Sequence, residues 1–232
     1  MDRSDQDNSQ TYVYKHNRYS SHNQIIDSVT PDSTVLDIGC GEGIISRHLH
    51  EKNCVVIGVD RKDPDPSFTR FIDDYFCQDL EQSLTAISDK RFDYALAADV
   101  LEHVRDRTRL LQEIAASLKP GGLLIASTGN IALFVYRFLL LLGRFDYGER
   151  GILDKDHVHL FTVSNFKSLI EEAGFRVVDC CYTPIPLELI CGPRLGKSRL
   201  VEGMTWAYQM LVRLWPRLFA YQIIIKAQPK GP

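Results

Sequence analysis

The chain has little that would staple it or carry it across a bilayer. Its six cysteines show no C-x-x-C spacing. Cys40, Cys54, Cys77, Cys180, Cys181 and Cys191 therefore read as small buried residues of a reducing compartment, not as a disulfide or zinc framework. Long apolar runs are missing too. The richest, Ile131 to Gly143, is broken by Arg137 and falls short of the roughly 20 residues a membrane span takes. The N-terminus lacks the apolar centre of a secretory leader, so a cytoplasmic location is expected. Surplus positive charge is absent: at a net charge of -3 there is no overall attraction to nucleic acid, and any basic partner surface must be local. No repeat or low-complexity tract is visible, and 232 residues suffice for one domain, 1–232, with a sizeable core.

What is present centres on Val35-Leu36-Asp37-Ile38-Gly39-Cys40-Gly41-Glu42-Gly43. An apolar run ends in an acid and then in glycines at alternate positions, which lets a backbone turn sharply and approach a ligand closely. A helix from Ile44 follows, so the unit reads as the strand, glycine turn and helix that open a nucleotide-binding α/β fold.

Strands are expected at 34–38, 54–59, 74–80, 92–98 and 123–127, alternating with helices and so forming a largely parallel sheet. Lys119-Pro120-Gly121-Gly122 reads as the stop of the helix that carries Leu110, Leu111 and Ile114. Residues 1–11 read as disordered, and 63–67 as a proline-bearing loop. Residues 18–29 read as a helix against the glycine turn, either a lid through which Arg18 or Tyr19 reaches a carboxylate or a plain packing helix.

Beyond Ser127 the alternation lapses. An apolar helix over 131–142, a loop over 143–158 and a helix started by Ser164 and stopped at Gly174 precede the strand at 175–181. A second long connection, 183–219, carries Leu200, Val201, Met204, Tyr208, Leu211 and Trp215 at helical spacing, with Arg194, Lys197, Arg199, Arg213 and Arg217 around them. A strand at 220–227 closes the chain.

The acids decide which nucleotide. Gly43 falls one residue too early for the usual dinucleotide pattern, and Asp37 just before the glycines would repel a pyrophosphate. A phosphate-free, cationic cofactor such as S-adenosylmethionine suits it. Asp60 ends the second strand about 20 residues on, where a ribose-binding carboxylate is expected, and Asp79 can accept from the adenine amine.

These residues, with Gly58-Val59-Asp60, Gln78-Asp79-Leu80, Asp99-Val100-Leu101-Glu102-His103-Val104 and Leu118-Lys119-Pro120-Gly121-Gly122, resemble the class I S-adenosylmethionine-dependent methyltransferases over about residues 30–130. Asp156-His157-Val158-His159-Leu160-Phe161-Thr162 is similar to a segment of the branch holding the ubiquinone-biosynthesis O-methyltransferases and bacterial small-molecule and glycan methyltransferases. The resemblance implies a Rossmann-like seven-stranded sheet in the order 3-2-1-4-5-7-6, strand 7 antiparallel, with helices on both faces. It divides the domain into an N-terminal lid or tail (1–29), a cofactor-binding core (30–130) and substrate-cap insertions after strands 5 and 6 (131–174 and 183–219). The cofactor is expected against Asp37, Gly39, Cys40, Gly41, Asp60, Arg61, Gln78, Asp79, Leu80, Asp99 and Val100.

Methyl transfer needs alignment above all, and an alcohol or phenol acceptor also needs a base. His157, His103 and His159 are the candidates; each has a plainer reading as a loop fastener or cap. If the loop is extended, His157 and His159 point the same way. If helical, Asp99, Glu102 and His103 share a face in a pattern that also resembles a divalent metal site. The simpler reading, with no metal, sets Asp99 at the cofactor and Glu102 at a helix start. The insertion helices either pack on each other and the sheet or cap an apolar or lipid-linked acceptor, with peripheral membrane contact through Leu, Trp and Arg side chains. The sequence fixes no oligomeric state. An O-methyltransferase of a small or lipid-linked molecule is the leading expectation. An N- or C-methyltransferase, a non-catalytic S-adenosylmethionine-binding module and an NAD-dependent enzyme are the alternatives.

Overall fold

A computed structural model describes residues 17–62, 66–149, 151–196 and 198–231. The disorder expected at 1–11, the aromatic stretch before residue 17, part of the 63–67 loop and Lys197 lie outside the described residues. Strands β1 (Thr34–Ile38), β2 (Val55–Asp60), β3 (Asp74–Cys77), β4 (Phe92–Ala98), β5 (Leu118–Gly129), β6 (Phe175–Thr183) and β7 (Gln222–Pro229) form one sheet. Its order is β3-β2-β1-β4-β5-β7-β6, as expected. Strands β1 to β5 pair in parallel, and β7 lies antiparallel between β5 and β6.

The helices are α1 (Ser21–Ser28), α2 (Ile44–His50), α3 (Pro66–Thr69), α4 (Arg107–Ser117), α5 (Phe134–Leu141), α6 (Val163–Glu172), α7 (Leu187–Ile190), α8 (Gly192–Leu195), α9 (Arg199–Leu214) and α10 (Pro216–Phe219). Side-chain alternation along the strands splits the core in two. On one face Leu36 and Ile38 join Leu110 and Leu111 of α4 and Phe166 of α6; on the other Val35 joins Ile25 of α1 and Leu49 of α2. A doubly covered parallel sheet of this kind binds ligands beyond the C-terminal ends of its strands, where the order reverses. Here that point lies between β1 and β4, which pair Ile38 with Ala97.

Several elements depart from expectation for local reasons. The Lys119-to-Gly122 tetrad does not separate helix from strand. It bulges within β5, because Leu118 already pairs with Phe92 and the register shifts before Tyr94. A Cβ at Gly122 would stand 3.0 Å from the Phe92 carbonyl oxygen, so the bulge needs a glycine there. Helix α6 starts one residue before Ser164: Thr162 is its cap, accepting from the Asn165 N–H at 3.3 Å while Asn165 Oδ1 accepts from the Thr162 N–H at 2.6 Å. Helix α5 is shorter than expected and buries none of its residues, so it does not pack flat on the sheet. Cys77 and Cys191 are exposed and Cys180 and Cys181 half-buried; only Cys40 and Cys54 are buried as expected.

Candidate functional site

A cleft of about 650 Å³ opens at the C-terminal edge of the sheet, and the glycine turn forms its floor. Gly39, Gly41 and Gly43 take φ of 66°, 50° and 64°, the left-handed region that disfavours a side chain. At Gly39 space alone forbids one, since a Cβ would lie 2.6 Å from Val100 Cγ2. The turn is tied to the next strand by the Gly41 N–H, which donates to Asp60 Oδ2 at 2.8 Å. The other Asp60 oxygen accepts from the Lys62 N–H at 3.1 Å.

Asp37 lies buried at the foot of this turn, accepting from Ser46 Oγ at 2.6 Å. Burial pushes its carboxyl up to about 6, the Ser46 hydrogen bond opposes that rise, and the charge of Asp60 adds to it. The Cys40 thiol is driven well above its ordinary value by burial and then by Asp37 and Asp60. The buried floor is thus electronegative, which fits a cation and opposes a pyrophosphate. Arg61 and Lys62 stand further out, beside Asp60 on the wall.

Of the expected cofactor set, Asp37, Gly39, Cys40, Gly41, Asp60, Arg61, Asp79, Leu80, Asp99 and Val100 all line the cleft. Gln78 does not: its amide is bound to the Ser83 carbonyl instead. Asp99 sits at φ 55°, unusual for a residue with a Cβ. Ser127 holds it there, accepting from the Asp99 N–H on both its carbonyl and its Oγ at 3.1 Å and donating from Oγ to Asp99 Oδ1 at 2.9 Å. Gln222 Nε2 donates to Asp99 Oδ2 at 2.6 Å, and Ser21 Oγ donates to Gln222 Oε1 at 3.0 Å. The N-terminal helix, the last strand and the cleft are thereby joined in one buried network.

Glu102 corrects the sequence reading. It does not start a helix, because residues 99–104 form turns and α4 begins at Arg107, capped by Asp106. Its carboxyl is buried and its Oε2 has no hydrogen-bond partner among the described residues. Burial, with the Asp99 charge adding to it, raises this carboxyl far above the usual carboxylate range. Its backbone carbonyl accepts from the N–H groups of Val158 at 2.9 Å and His159 at 3.1 Å, pinning the 154–159 loop over the cleft.

Among the three histidines, His103 lines the cleft. His157 packs edge-to-face on it, ring centroids 4.7 Å apart. Each Nδ1 faces a backbone carbonyl, His103 that of Asp156 at 3.2 Å and His157 that of Ile152 at 3.0 Å. A carbonyl only accepts, so each Nδ1 carries a proton, and Nε2 is the nitrogen left to exchange one. Burial lowers the His103 pKa, the hydrogen bond to Asp156 opposing and His157 contributing. The loop bends at Val158, so the extended course that would align His157 and His159 is absent; the His159 ring lies near Phe161 at 6.5 Å while His157 packs on His103. Arg18 and Tyr19 also miss the cleft. Arg18 stacks on the Tyr19 ring at 5.0 Å, and the residues of this segment that reach the wall are Ser21, His22 and Ile25. Sequence reasoning missed Ser21, His22, Ser127 and Gln222, whose only linear signal is a position at an element end.

A family profile described as "Methyltransferase domain" matches residues 14–179. A ubiquinone biosynthesis O-methyltransferase of Coxiella burnetii (strain RSA 331 / Henzerling II) is 29% identical over 152 residues, 62% of this chain and 64% of that protein. The chain therefore spans less than two thirds of the length of the curated relatives it matches first. Among solved structures, a SAM-dependent methyltransferase from Archaeoglobus fulgidus superposes with a TM-score of 0.58 at 20% identity, covering 88% of this chain and 89% of that one. The 1,6-didemethyltoxoflavin-N1-methyltransferase of Burkholderia thailandensis, solved with bound 1,6-didemethyltoxoflavin and S-adenosylhomocysteine, gives a TM-score of 0.55 at 19% identity, covering 87% of this chain and 72% of that one. Both structural likenesses bear on the fold.

Proposed function

Because the chain belongs to the methyltransferase domain family, we propose that it transfers the methyl group of S-adenosylmethionine to a hydroxyl oxygen of a small apolar or lipid-linked molecule. The observation that carries this reading is Asp37, a buried carboxyl with no ion pair among the described residues, beneath glycines that leave room for a ligand's close approach. A cationic, phosphate-free ligand satisfies it. In this assignment Asp37 faces the cationic end of S-adenosylmethionine, Asp60 the ribose hydroxyls and Asp79 the adenine amine, while Asp99 and Val100 flank the methionine part. Bound there, S-adenosylmethionine supplies a methyl group already activated by its sulfonium, so no protein nucleophile is needed.

The chain's own share is alignment, worth up to ~7–11 kcal/mol in model reactions, and removal of the acceptor proton. His103 and His157 supply a free Nε2 each, and the lowered pKa of His103 keeps it neutral at physiological pH. His103 takes the hydroxyl proton, with His157 at its edge as the second base candidate. His159, donating its N–H to the Glu102 carbonyl, fastens the loop.

The test is product analysis by mass spectrometry with hydroxylated acceptors of rising apolar character, for the wild type and for His103→Ala and His157→Ala. Loss of one base is expected to lower kcat by about 10²-fold or more with S-adenosylhomocysteine affinity unchanged by calorimetry. The acid limb of kcat/KM is expected below the ordinary histidine range. Methylation of amines but never of hydroxyls overturns the oxygen assignment. Tight cofactor binding with no product from any acceptor favours a binding module, and preference for a nicotinamide cofactor overturns the family of readings together.

A further inference from the structure

We propose that the outward face of α9, continued by α5, docks this chain on the surface of an anionic lipid bilayer. Helix α9 turns many of its large apolar side chains to solvent. The face it buries carries Val201, Thr205, Gln209 and Val212, two of them polar, whereas Leu200, Met204, Leu211, Leu214 and Trp215 are exposed. Leu200, Met204, Leu211 and Leu214 recur at i, i+4, i+11 and i+14 and so form one stripe along the helix, with Trp215 just past its end. Leu214 is 82% exposed and Leu200 73%. Helix α5 also exposes Phe138, Leu141 and Leu142, and its Phe134 meets Phe219 of α10, the helix that follows α9, at 5.6 Å. A row of exposed large apolar side chains of this kind marks an interaction site.

The chemistry beside the stripe selects the partner. Arg199, Trp206 and Arg213 stand on the neighbouring exposed arc of α9, and Arg217 follows on α10. Among the described residues no carboxylate lies within ion-pair distance of these three arginines. Arginines bordering leucine and tryptophan suit anionic headgroups above acyl chains. A second copy suits the face less well. A two-fold interface would set the same arginines against each other, with Glu202 the one acid on α9. No described helix is long and apolar enough to cross a membrane, so the contact lies in the interface plane.

The docked face is placed to matter for the site. Helix α5 leaves from the C-terminal end of β5 and α7 to α10 from that of β6, the edge at which the cleft opens. Capture of a membrane-held acceptor rests on the acceptor assignment above; vesicle binding does not, so the two fail separately.

The experiment is co-sedimentation of the full chain with phosphatidylcholine vesicles with and without phosphatidylglycerol, at low and high salt. Partition into the anionic vesicles is expected, weakened by salt. Leu211→Glu with Leu214→Glu is expected to lower it at least roughly tenfold, and Arg199→Gln or Arg213→Gln by about fivefold each. These positions are solvent-exposed, and unchanged melting and S-adenosylhomocysteine binding verify the fold of each variant. No partition, equal partition into both vesicles, variants that bind as well as the wild type, or a concentration-dependent dimer dissolved by the same glutamates would each overturn the proposal.

Discussion

At the scale of single residues, Asp37 couples binding to pH. Its carboxyl titrates near 6 because burial disfavours the charge. For an acid raised in the folded state, the free protein gains stability at low pH and loses it as pH rises from the unfolded value toward 6. A cationic ligand reverses that preference by favouring the carboxylate. Affinity for S-adenosylmethionine is therefore expected to be flat above pH 7 and to fall by up to about tenfold per unit below pH 6, with a proton released on binding. Calorimetry in buffers of different ionisation enthalpy reads both. In Asp37→Asn the affinity should drop and its pH dependence should vanish together; an affinity independent of pH in the wild type would refute the pairing. Asp37, Asp60 and the glycines were legible in the sequence because a strand end followed by a turn imposes their spacing. Ser127 and Gln222 were not, since the Asp99–Gln222 contact joins residues 123 apart in sequence.

Among elements, the turn at residues 99–104 departs most from sequence reasoning, because the helical period that continues into α4 disguises it. Asp99 at φ 55° and its bonds to Ser127 stop a helix from forming there, and Asp106 supplies the cap instead. The consequence is a buried Glu102 whose carbonyl pins the loop carrying His157. Its carboxyl is raised by burial and by Asp99, so the wild type loses stability as pH climbs through the normal glutamate range and beyond. Glu102→Gln keeps the shape of the neutral acid and cannot ionise. It is expected to come close to the wild type at about pH 4, below the ordinary glutamate range, and to melt higher at pH 8, by about 2–4 °C for each kcal/mol of penalty removed. Thermal melts across that range decide: equal pH slopes in the two proteins would show that Glu102 is not neutral in the fold.

At the scale of the whole molecule, the parallel course of β1 to β5 was legible because strands and helices alternate through the first half, whereas the strand order and the antiparallel β7 came from the family resemblance. The insertions were not, because helical periodicity announces a helix without saying which face meets water: in α9 Thr205 and Gln209 are buried while Leu200, Met204, Leu211 and Leu214 are exposed. The cleft is built mainly from the legible half, and mass action makes it testable there. A ligand at one hundred times its Kd stabilises the folded state by about 2.7 kcal/mol, or roughly 5–11 °C for a chain of this size. S-adenosylhomocysteine is expected to give that shift in the wild type. Asp60→Ala should lose most of it, since Asp60 both holds Gly41 and faces the ribose in our assignment. Hydrogen exchange should slow at the glycine turn and at residues 99–104 and stay unchanged over α5 and α9, which contribute no residue to the cleft lining. A shift as large in Asp60→Ala as in the wild type would remove the ribose assignment, and a larger shift with a nicotinamide dinucleotide would return the glycine turn to the pyrophosphate that Asp37 argues against.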